Sequence, residues 1–401
     1  MSSELQLVPE KMTYSMKLAF KQRIATALAE RESQGLTRRI VPLQRENGTI
    51  FVHEGQKYLN FSSNDYLGLA TDPALVSAWQ EGLNRYGCGS GASPLVTGFH
   101  QAHQTLEAML CEWLGYERAI LFNSGFSANQ AVLFTLLQRG DLLLQDRLNH
   151  ASLMEAGALS AATMKRFRHN DVDHLSLLVT SEQTNVVVTE GVFSMDGDCA
   201  PLAQISSCVE EQAVLMVDDA HGIGVRGEYG AGSCAAAGIH PDLLVVTFGK
   251  AFGLFGAAVL CDRETGDYLT QYARHHVYST AIPPAQAYAL SRAIEMIQTQ
   301  QWRRDKLQQL RDIYHICLSC DDRASLSQTP IQPLIIGNTE RTLQVAAALR
   351  ERGIWVSAIR PPTVPEGTAR LRVTLTAGHS EAQVRQLATT LQQVTEAISD
   401  D

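Results

Sequence analysis

The sequence predicts an α/β protein: a mostly parallel central sheet flanked by helices, followed by a smaller C-terminal α+β domain. Three observations predict it. Short β-branched or aliphatic runs recur between residues 118 and 261, namely "RAILFN", "DLLLQD", "NVVVTE", "VLMVDD", "LLVVTFG" and "GAAVLC". Most are separated by stretches with helical spacing, such as "SANQAVLFTLLQ" and "ASLMEAGALS", which is the rhythm of strand–helix–strand crossovers. The run "LLVV" offers no polar face, as expected of a strand covered on both sides.

The elements follow in chain order. "MKLAFKQRIATALAER" carries apolar residues at helical spacing and predicts an amphipathic helix. "TIFVHEGQKYLNF" alternates around "HEGQ" and predicts a hairpin. The six runs above then build the sheet. "GAAVLC" follows "LLVVTFGKAFG" too closely for a crossover helix, so one strand there is expected to run antiparallel. Two helices, "AQAYALSRAIEMIQTQQ" and "WRRDKLQQLRDIYHICL", lead into the C-terminal region. There "IQPLIIG", "TLQVAAALRERG", "IWVSAIR", "ARLRVTLT" and a last helix from Glu381 read as the α+β part. The expected division is an N-terminal helix and hairpin segment over 1–60, a large domain over 61–285 and a small domain over 286–401.

A chain of 401 residues, 45% apolar and 19% charged, has enough apolar material for a large core. The net charge of −9, with no basic stripe, argues against nucleic acid or an anionic membrane as partner. No apolar run approaches the ~18 residues of a membrane helix, and "MSSELQLVPEKM" has no signal-peptide pattern. The chain is therefore expected to be cytoplasmic and its eight cysteines reduced. Cys317 and Cys320 in "CLSC" have metal-ligand spacing but no second pair or histidine cluster beside them. His100 and His103 in "HQAH" fail in the same way, so no metal is expected.

In open α/β sheets ligands sit beyond the carboxyl ends of the strands. After "RAILFN" come Ser124, Gly125, Phe126 and Asn129 at a helix start, which suits either a phosphate or a plain N-cap. After "DLLLQD" comes His150, after "NVVVTE" come Ser194 and Asp196, and after "VLMV" come Asp218, Asp219 and His221. After "LLVV" come Thr247 and Lys250. Lys250 reads either as a strand-end lysine reaching water or as an amine whose burial lowers its pKa and frees its lone pair. "GIGVRG" after a strand matches a dinucleotide fingerprint, but a glycine-rich loop rather than a helix is expected to follow it. "GCGSGAS" lacks the ending of a P-loop. Taken singly, Asp219 suits a solvated cap, His150 a helix start and Ser194 a turn. Taken together, a phosphate cradle, an acid, an imidazole and an amine at successive strand ends are what pyridoxal phosphate requires of its host.

"SSNDYLGLA", "LFNSGFSANQAV", "NHASLMEA", "VVTEGVFSMDGDCAPL", "LMVDDAHGIGV" and "VVTFGKAFG" together resemble the α-oxoamine synthases, which are fold-type I pyridoxal-phosphate enzymes. The likeness runs from about Ile24 to the last helix. It implies a transferase that condenses an amino acid with an acyl thioester, releasing carbon dioxide and the free thiol. The member it points to uses L-alanine and a pimeloyl thioester of coenzyme A or acyl carrier protein, in biotin biosynthesis; a sister using glycine or serine is the alternative.

The resemblance also implies roles. Lys250 would carry the cofactor and act as base, and Asp218 would pair with the pyridine nitrogen. His221 and Ser194 would bond the region of the ring oxygen, and His150 would stack on the ring. Gly125 and Phe126 amides and the Thr247 hydroxyl would hold the phosphate. Arg360 would hold the amino acid carboxylate, while Arg38, Asn64 and Thr363 would lie against substrate. The family shares its active sites across a homodimer, with Thr280 approaching the partner's phosphate. Pro94 and Leu95 depart from the family pattern, as do the more apolar Leu254 and Phe255.

Overall fold

The computed structural model describes residues 10–179, 183–319, 321, 323–324 and 326–398. These residues fall into two compact units, one up to Gln44 and one from Arg45 onward. The first holds helix α1 (Glu10–Ser33). Its apolar side chains Leu18, Phe20, Ile24 and Leu28 are all exposed, so the helix forms as the spacing predicts without a covered face. A two-residue strand, β1 (Gln44–Arg45), closes this part of the chain.

The second unit opens with the hairpin β2 (Ile50–His53) and β3 (Gln56–Asn60), paired antiparallel. Its turn residues Glu54 and Gly55 both have positive φ, the conformation whose twist suits a two-residue hairpin loop. There follow α2 (Pro73–Tyr86), α3 (Gln101–Leu114), β4 (Arg118–Phe122), α4 (Gly125–Leu136), β5 (Leu142–Asp146), α5 (Ala151–Leu159), β6 (Thr163–Phe167), α6 (Val172–Ser176) and β7 (Asn185–Glu190). Next come α7 (Leu202–Val209), β8 (Ala213–Asp218), α8 (Gly232–Ala237), β9 (Leu243–Thr247), β10 (Ala257–Cys261), α9 (Arg263–Tyr272), α10 (Arg274–Val277), α11 (Pro284–Thr299) and α12 (Trp302–Cys317). The chain ends with β11 (Ile331–Gly337), α13 (Thr339–Glu351), β12 (Ile354–Trp355), β13 (Ser357–Ile359), β14 (Ala369–Thr374) and α14 (Glu381–Ala397).

The central sheet has seven strands in the order β4-β10-β9-β8-β7-β5-β6. Pairs from β6 through β9 are parallel, and β10 runs antiparallel to both β9 and β4, as the short connection to "GAAVLC" predicts. Alternate residues feed two cores, one on each face. Leu244 and Val246 of β9 join one core, and Leu243 and Val245 join the other. This two-sided burial is why the strand sequence shows no polar face.

A second, antiparallel sheet, β11-β14-β13, lies in the C-terminal region. Strand β12 leaves that region and pairs parallel with β3, through Ile354 with Leu59 and Trp355 with Asn60. Trp355 packs edge-on against Phe51 and Tyr58 of the hairpin, with ring centroids 5.2 and 5.3 Å away. The hairpin is therefore stitched to C-terminal strands. Both 60 and 285, the boundaries expected from sequence, fall inside this second unit.

Candidate active site

The carboxyl ends of β7, β8 and β9 and the start of α4 surround a cavity of about 290 Å³. Lys250 reaches it from the loop between β9 and β10. That loop is folded back on itself: Phe248 N donates to Gly256 O at 2.9 Å, Leu254 N to Phe248 O at 3.0 Å, and Gly253 N to Lys250 O at 2.9 Å. Phe248 and Phe252 are wholly buried, each contributing about 1.5–3 kcal/mol of transfer free energy, and meet edge to face at 5.0 Å. Gly253 has a φ of 69°, and a Cβ there would lie 2.7 Å from Leu69 C and collide with Ala70 N. Buried neighbours thus pin the loop while Lys250 projects into the cavity. Its Nζ lies 3.5 Å from Thr247 Oγ1. Burial lowers the ammonium pKa, opposed by the charges of Asp218 and Glu190 and assisted by Arg372. Of the two readings of Lys250, the structure thus shows a lysine at a cavity with its pKa lowered by burial.

Asp218 ends β8 and points into the cavity, whereas Asp219, one residue on, points away, as strand alternation requires. Asp218 Oδ1 accepts from Ala220 N at 3.0 Å and Oδ2 from Asn129 Nδ2 at 2.7 Å. Asn129 also donates to Ser152 Oγ at 2.9 Å, so the Ser152 hydroxyl is left to donate to His150 Nδ1 at 2.8 Å. One chain of hydrogen bonds therefore ties the carboxylate to the imidazole. Burial lowers the pKa of His150; Asp218 works against this and Lys250 with it.

Asp219 caps α8 instead, its Oδ2 accepting from Ser233 N at 2.7 Å. Side chains at Gly191, Gly222 or Gly232 would collide with its carboxylate, and burial raises its pKa to about 7. This corrects one expectation. "GIGVRG" does lead, after a 3₁₀ turn at Glu228–Gly230, into a helix, and it is Asp219 that occupies that helix's N-terminus.

Helix α4 begins at a capping box in which Ser124 Oγ accepts from Ser127 N and Ser127 Oγ from Ser124 N, both at 3.1 Å. The first-turn amides left over are those of Gly125 and Phe126, and both residues line the cavity. An amine, a held carboxylate, two helix-start amides with a hydroxyl beside them, and the imidazoles of His150 and His221 fit pyridoxal phosphate group for group. Among the described residues no cluster of three or more His, Cys, Asp or Glu is placed to hold a metal. His103 is satisfied structurally, with Nδ1 accepting from His100 N and Nε2 donating to Ile282 O. Cys320 lies outside the described residues.

Ten of the candidate site residues named from the sequence share this cavity: Asn64, Ser124, Gly125, Phe126, Asn129, His150, Asp218, His221, Thr247 and Lys250; Phe255 lines it as well. Others lie elsewhere. Ser194 and Thr363 line a second cavity of about 360 Å³, together with Arg370, which is paired with Asp196. Thr280 is exposed and its carbonyl accepts from Asn123 Nδ2, at a small separate cavity. Arg360 lines neither of the two larger cavities, and the exposed Arg38 belongs to the first unit.

The structure adds residues that the sequence reading passed over. Glu190 ends β7, is almost fully buried at the cavity and accepts from His150 N at 2.5 Å. Burial and the facing Asp218 raise its pKa. Arg372 donates to Ser194 O at 2.5 Å and to Asn64 Oδ1 at 3.0 Å, bridging the walls of the two cavities. Its signal was in the sequence, since Arg370 and Arg372 in "ARLRVTLT" share one face of a strand.

Residues 56–391 match the sequence model of the family described as Aminotransferase class I and II, and the chain belongs to that family. A solved serine palmitoyltransferase from S. paucimobilis with bound PLP–myriocin aldimine superposes with a TM-score of 0.89 at 27% identity, covering 94% of this chain and 98% of its own. Sequence kinship is stronger elsewhere. The 8-amino-7-oxononanoate synthase of Vibrio parahaemolyticus serotype O3:K6 is 64% identical over 381 residues, 95% of this chain and 100% of its own. That of Vibrio cholerae serotype O1 is 63% identical over 388 residues, 95% of this chain and 99% of its own.

Proposed function

We propose that this chain condenses L-alanine with a pimeloyl thioester to give 8-amino-7-oxononanoate, carbon dioxide and the free thiol, a step of biotin biosynthesis that uses pyridoxal phosphate. The observation that carries the reading is identity of 64% across the full length of a synthase of that name. A serine-using reading, suggested by the structural neighbour, rests on 27% identity and is the weaker one.

The residues would share the work as follows. Lys250 would hold the cofactor's aldehyde carbon, Asp218 its pyridine nitrogen, and the Gly125 and Phe126 amides with Thr247 its phosphate. When bound, pyridoxal phosphate supplies an electron sink for a carbanion at the amino acid Cα. Asp218, whose carboxylate oxygens accept from Asn129 Nδ2 and Ala220 N, would face the pyridine nitrogen and hold a proton there. Once the amino group of the amino acid has displaced it from the aldehyde carbon, Lys250 Nζ, whose pKa burial lowers, would take the Cα proton. His150, fixed through Ser152 with Nε2 carrying its proton, would cover the ring face. Asn64 would lie against substrate in this cavity, and Arg360 and Thr363, which do not line it, would meet substrate only if their turn were brought up to it.

The working unit is a homodimer with shared sites. Supporting this are the exposed Leu95, Val96 and Tyr278 beside Thr280, apolar surface that a second copy would cover. Within each chain, 61–285 would be the cofactor-binding domain, preceded by the helix and hairpin segment 1–60 and followed by the small α+β domain 286–401. No helix among the described residues is long and apolar enough to cross a membrane; a cytoplasmic reaction would suit the thioester substrates proposed. The test is product analysis: purified protein with pyridoxal phosphate, L-alanine and pimeloyl-CoA yields 8-amino-7-oxononanoate by mass spectrometry. Turnover of glycine or L-serine with none of L-alanine would overturn the assignment.

A further inference from the structure

His221 lines the Lys250 cavity, and what the nitrogen turned away from Tyr66 can do depends on which of the two carries the proton. The other nitrogen, Nδ1, lies 2.6 Å from Tyr66 Oη, and both side chains are buried. Three facts fix the direction of this bond. The Arg372 guanidinium is close enough to the Tyr66 phenol to favour its charged form, and a guanidinium only donates, so it can engage the phenol only at an oxygen lone pair and offers no acceptor for the O–H. The alternative acceptor, Asn64 Oδ1, is 3.4 Å away and already accepts from Arg372 at 3.0 Å. A separation of 2.6 Å is short for an N–H donor, whose bonds centre near ~2.9 Å, and natural for a hydroxyl.

We propose that Tyr66 is a positioning residue that donates to Nδ1 of His221 and so holds the imidazole as its Nε2–H tautomer. The ring then offers one fixed N–H donor to the ring oxygen of bound cofactor. This rests on the cofactor reading above. The groups facing His221 agree with it. Burial, Lys250, Arg372 and His150 all disfavour a second proton on the ring, and burial pushes the Tyr66 phenol up to about 12, so its proton stays in place. Arg372, behind Tyr66, polarises the phenol and strengthens its donation.

The test is nitrogen NMR of the full chain labelled at histidine, with His221 assigned by its loss in His221→Asn. The wild type is expected to show an unprotonated Nδ1 and a protonated Nε2, with and without cofactor. Tyr66→Phe keeps the ring's packing and removes only the hydroxyl. It is expected to shift His221 toward a mixture of tautomers and to weaken retention of pyridoxal phosphate roughly 2- to 10-fold, the worth of one hydrogen bond. A protonated Nδ1 in the wild type overturns the proposal even if the variant fails to fold. So does a His221 signal unmoved by Tyr66→Phe. If the wild type takes up no pyridoxal phosphate at all, the cofactor reading fails instead, and the tautomer measurement on the free protein still decides the role of Tyr66.

Discussion

Asn129→Ala cuts the chain that joins Asp218 to His150, and its cost can be worked from the geometry. The amide donates at 2.7 Å to a carboxylate and at 2.9 Å to a hydroxyl, and the residue is 1% exposed. The first bond contributes about 1.5–3 kcal/mol and the second about 0.5–1.5 kcal/mol. Asn129 lines the cavity, so water entering the space left behind offsets part of the loss, leaving a net cost of about 2 kcal/mol. Because that cost falls on holding Asp218 toward the pyridine nitrogen, pyridoxal phosphate is expected to bind roughly thirty-fold more weakly. Ser152→Ala leaves the Asp218 contact intact and is expected to cost about 1 kcal/mol, roughly five-fold. The assay is titration of cofactor-free protein with pyridoxal phosphate, followed by visible absorbance, with a thermal melt to verify folding. Binding by folded Asn129→Ala within twofold of wild type, or a larger loss in Ser152→Ala, would refute the reasoning.

Gly253→Ala is expected to lower the melting temperature and cofactor occupancy together, because a Cβ at a φ of 69° would strike Leu69 and Ala70 and displace the Lys250 loop. Loss of stability with full occupancy would contradict this. His169 sits between Asp146, at 2.9 Å from Nδ1, and Asp198, at 2.7 Å from Nε2. Burial alone would lower its pKa, but the two carboxylates raise it to about 10. A raised folded-state pKa stabilises fully below the unfolded value near 6.5, and the contribution disappears as pH rises through about 10. The ring is partly open to solvent, so the contribution is about 2 kcal/mol at neutral pH. His169→Gln should therefore lie below wild type in urea midpoint at pH 6 and converge with it by about pH 10; a constant gap would count against the account.

Strand-end logic made much of the site legible. Lys250, Thr247, Asp218 and His150 each follow an apolar run, and the parallel sheet brings such positions to one edge. Choosing Asp218 over Asp219 came from the resemblance, and the structure supplies the physical reason: alternation turns one carboxylate to the cavity and the other to Ser233. Ser194 shows where the logic stops. The chain leaving β7 turns back through the Val192–Cys199 bridge, which carries Ser194 to the neighbouring cavity. The meeting of Arg372 with Asn64 was hidden for another reason, since the two lie 308 residues apart and come together only when C-terminal strands pair beside the N-terminal hairpin. Glu190 was legible only as the polar end of "NVVVTE", and nothing local marks it as buried. The helix after "GIGVRG" went unpredicted because its six residues are small and follow four glycines, a local pattern that favours loop over helix.

The central claim is that one amine, Lys250 Nζ, holds the cofactor. Borohydride reduction of the protein loaded with pyridoxal phosphate, followed by proteolysis and mass spectrometry of the peptides, tests it directly. The account predicts a single stable pyridoxyl label on the peptide containing "TFGKAFG", at Lys250, and none in Lys250→Ala. A label on another lysine, or no label in protein that binds the cofactor, would contradict it.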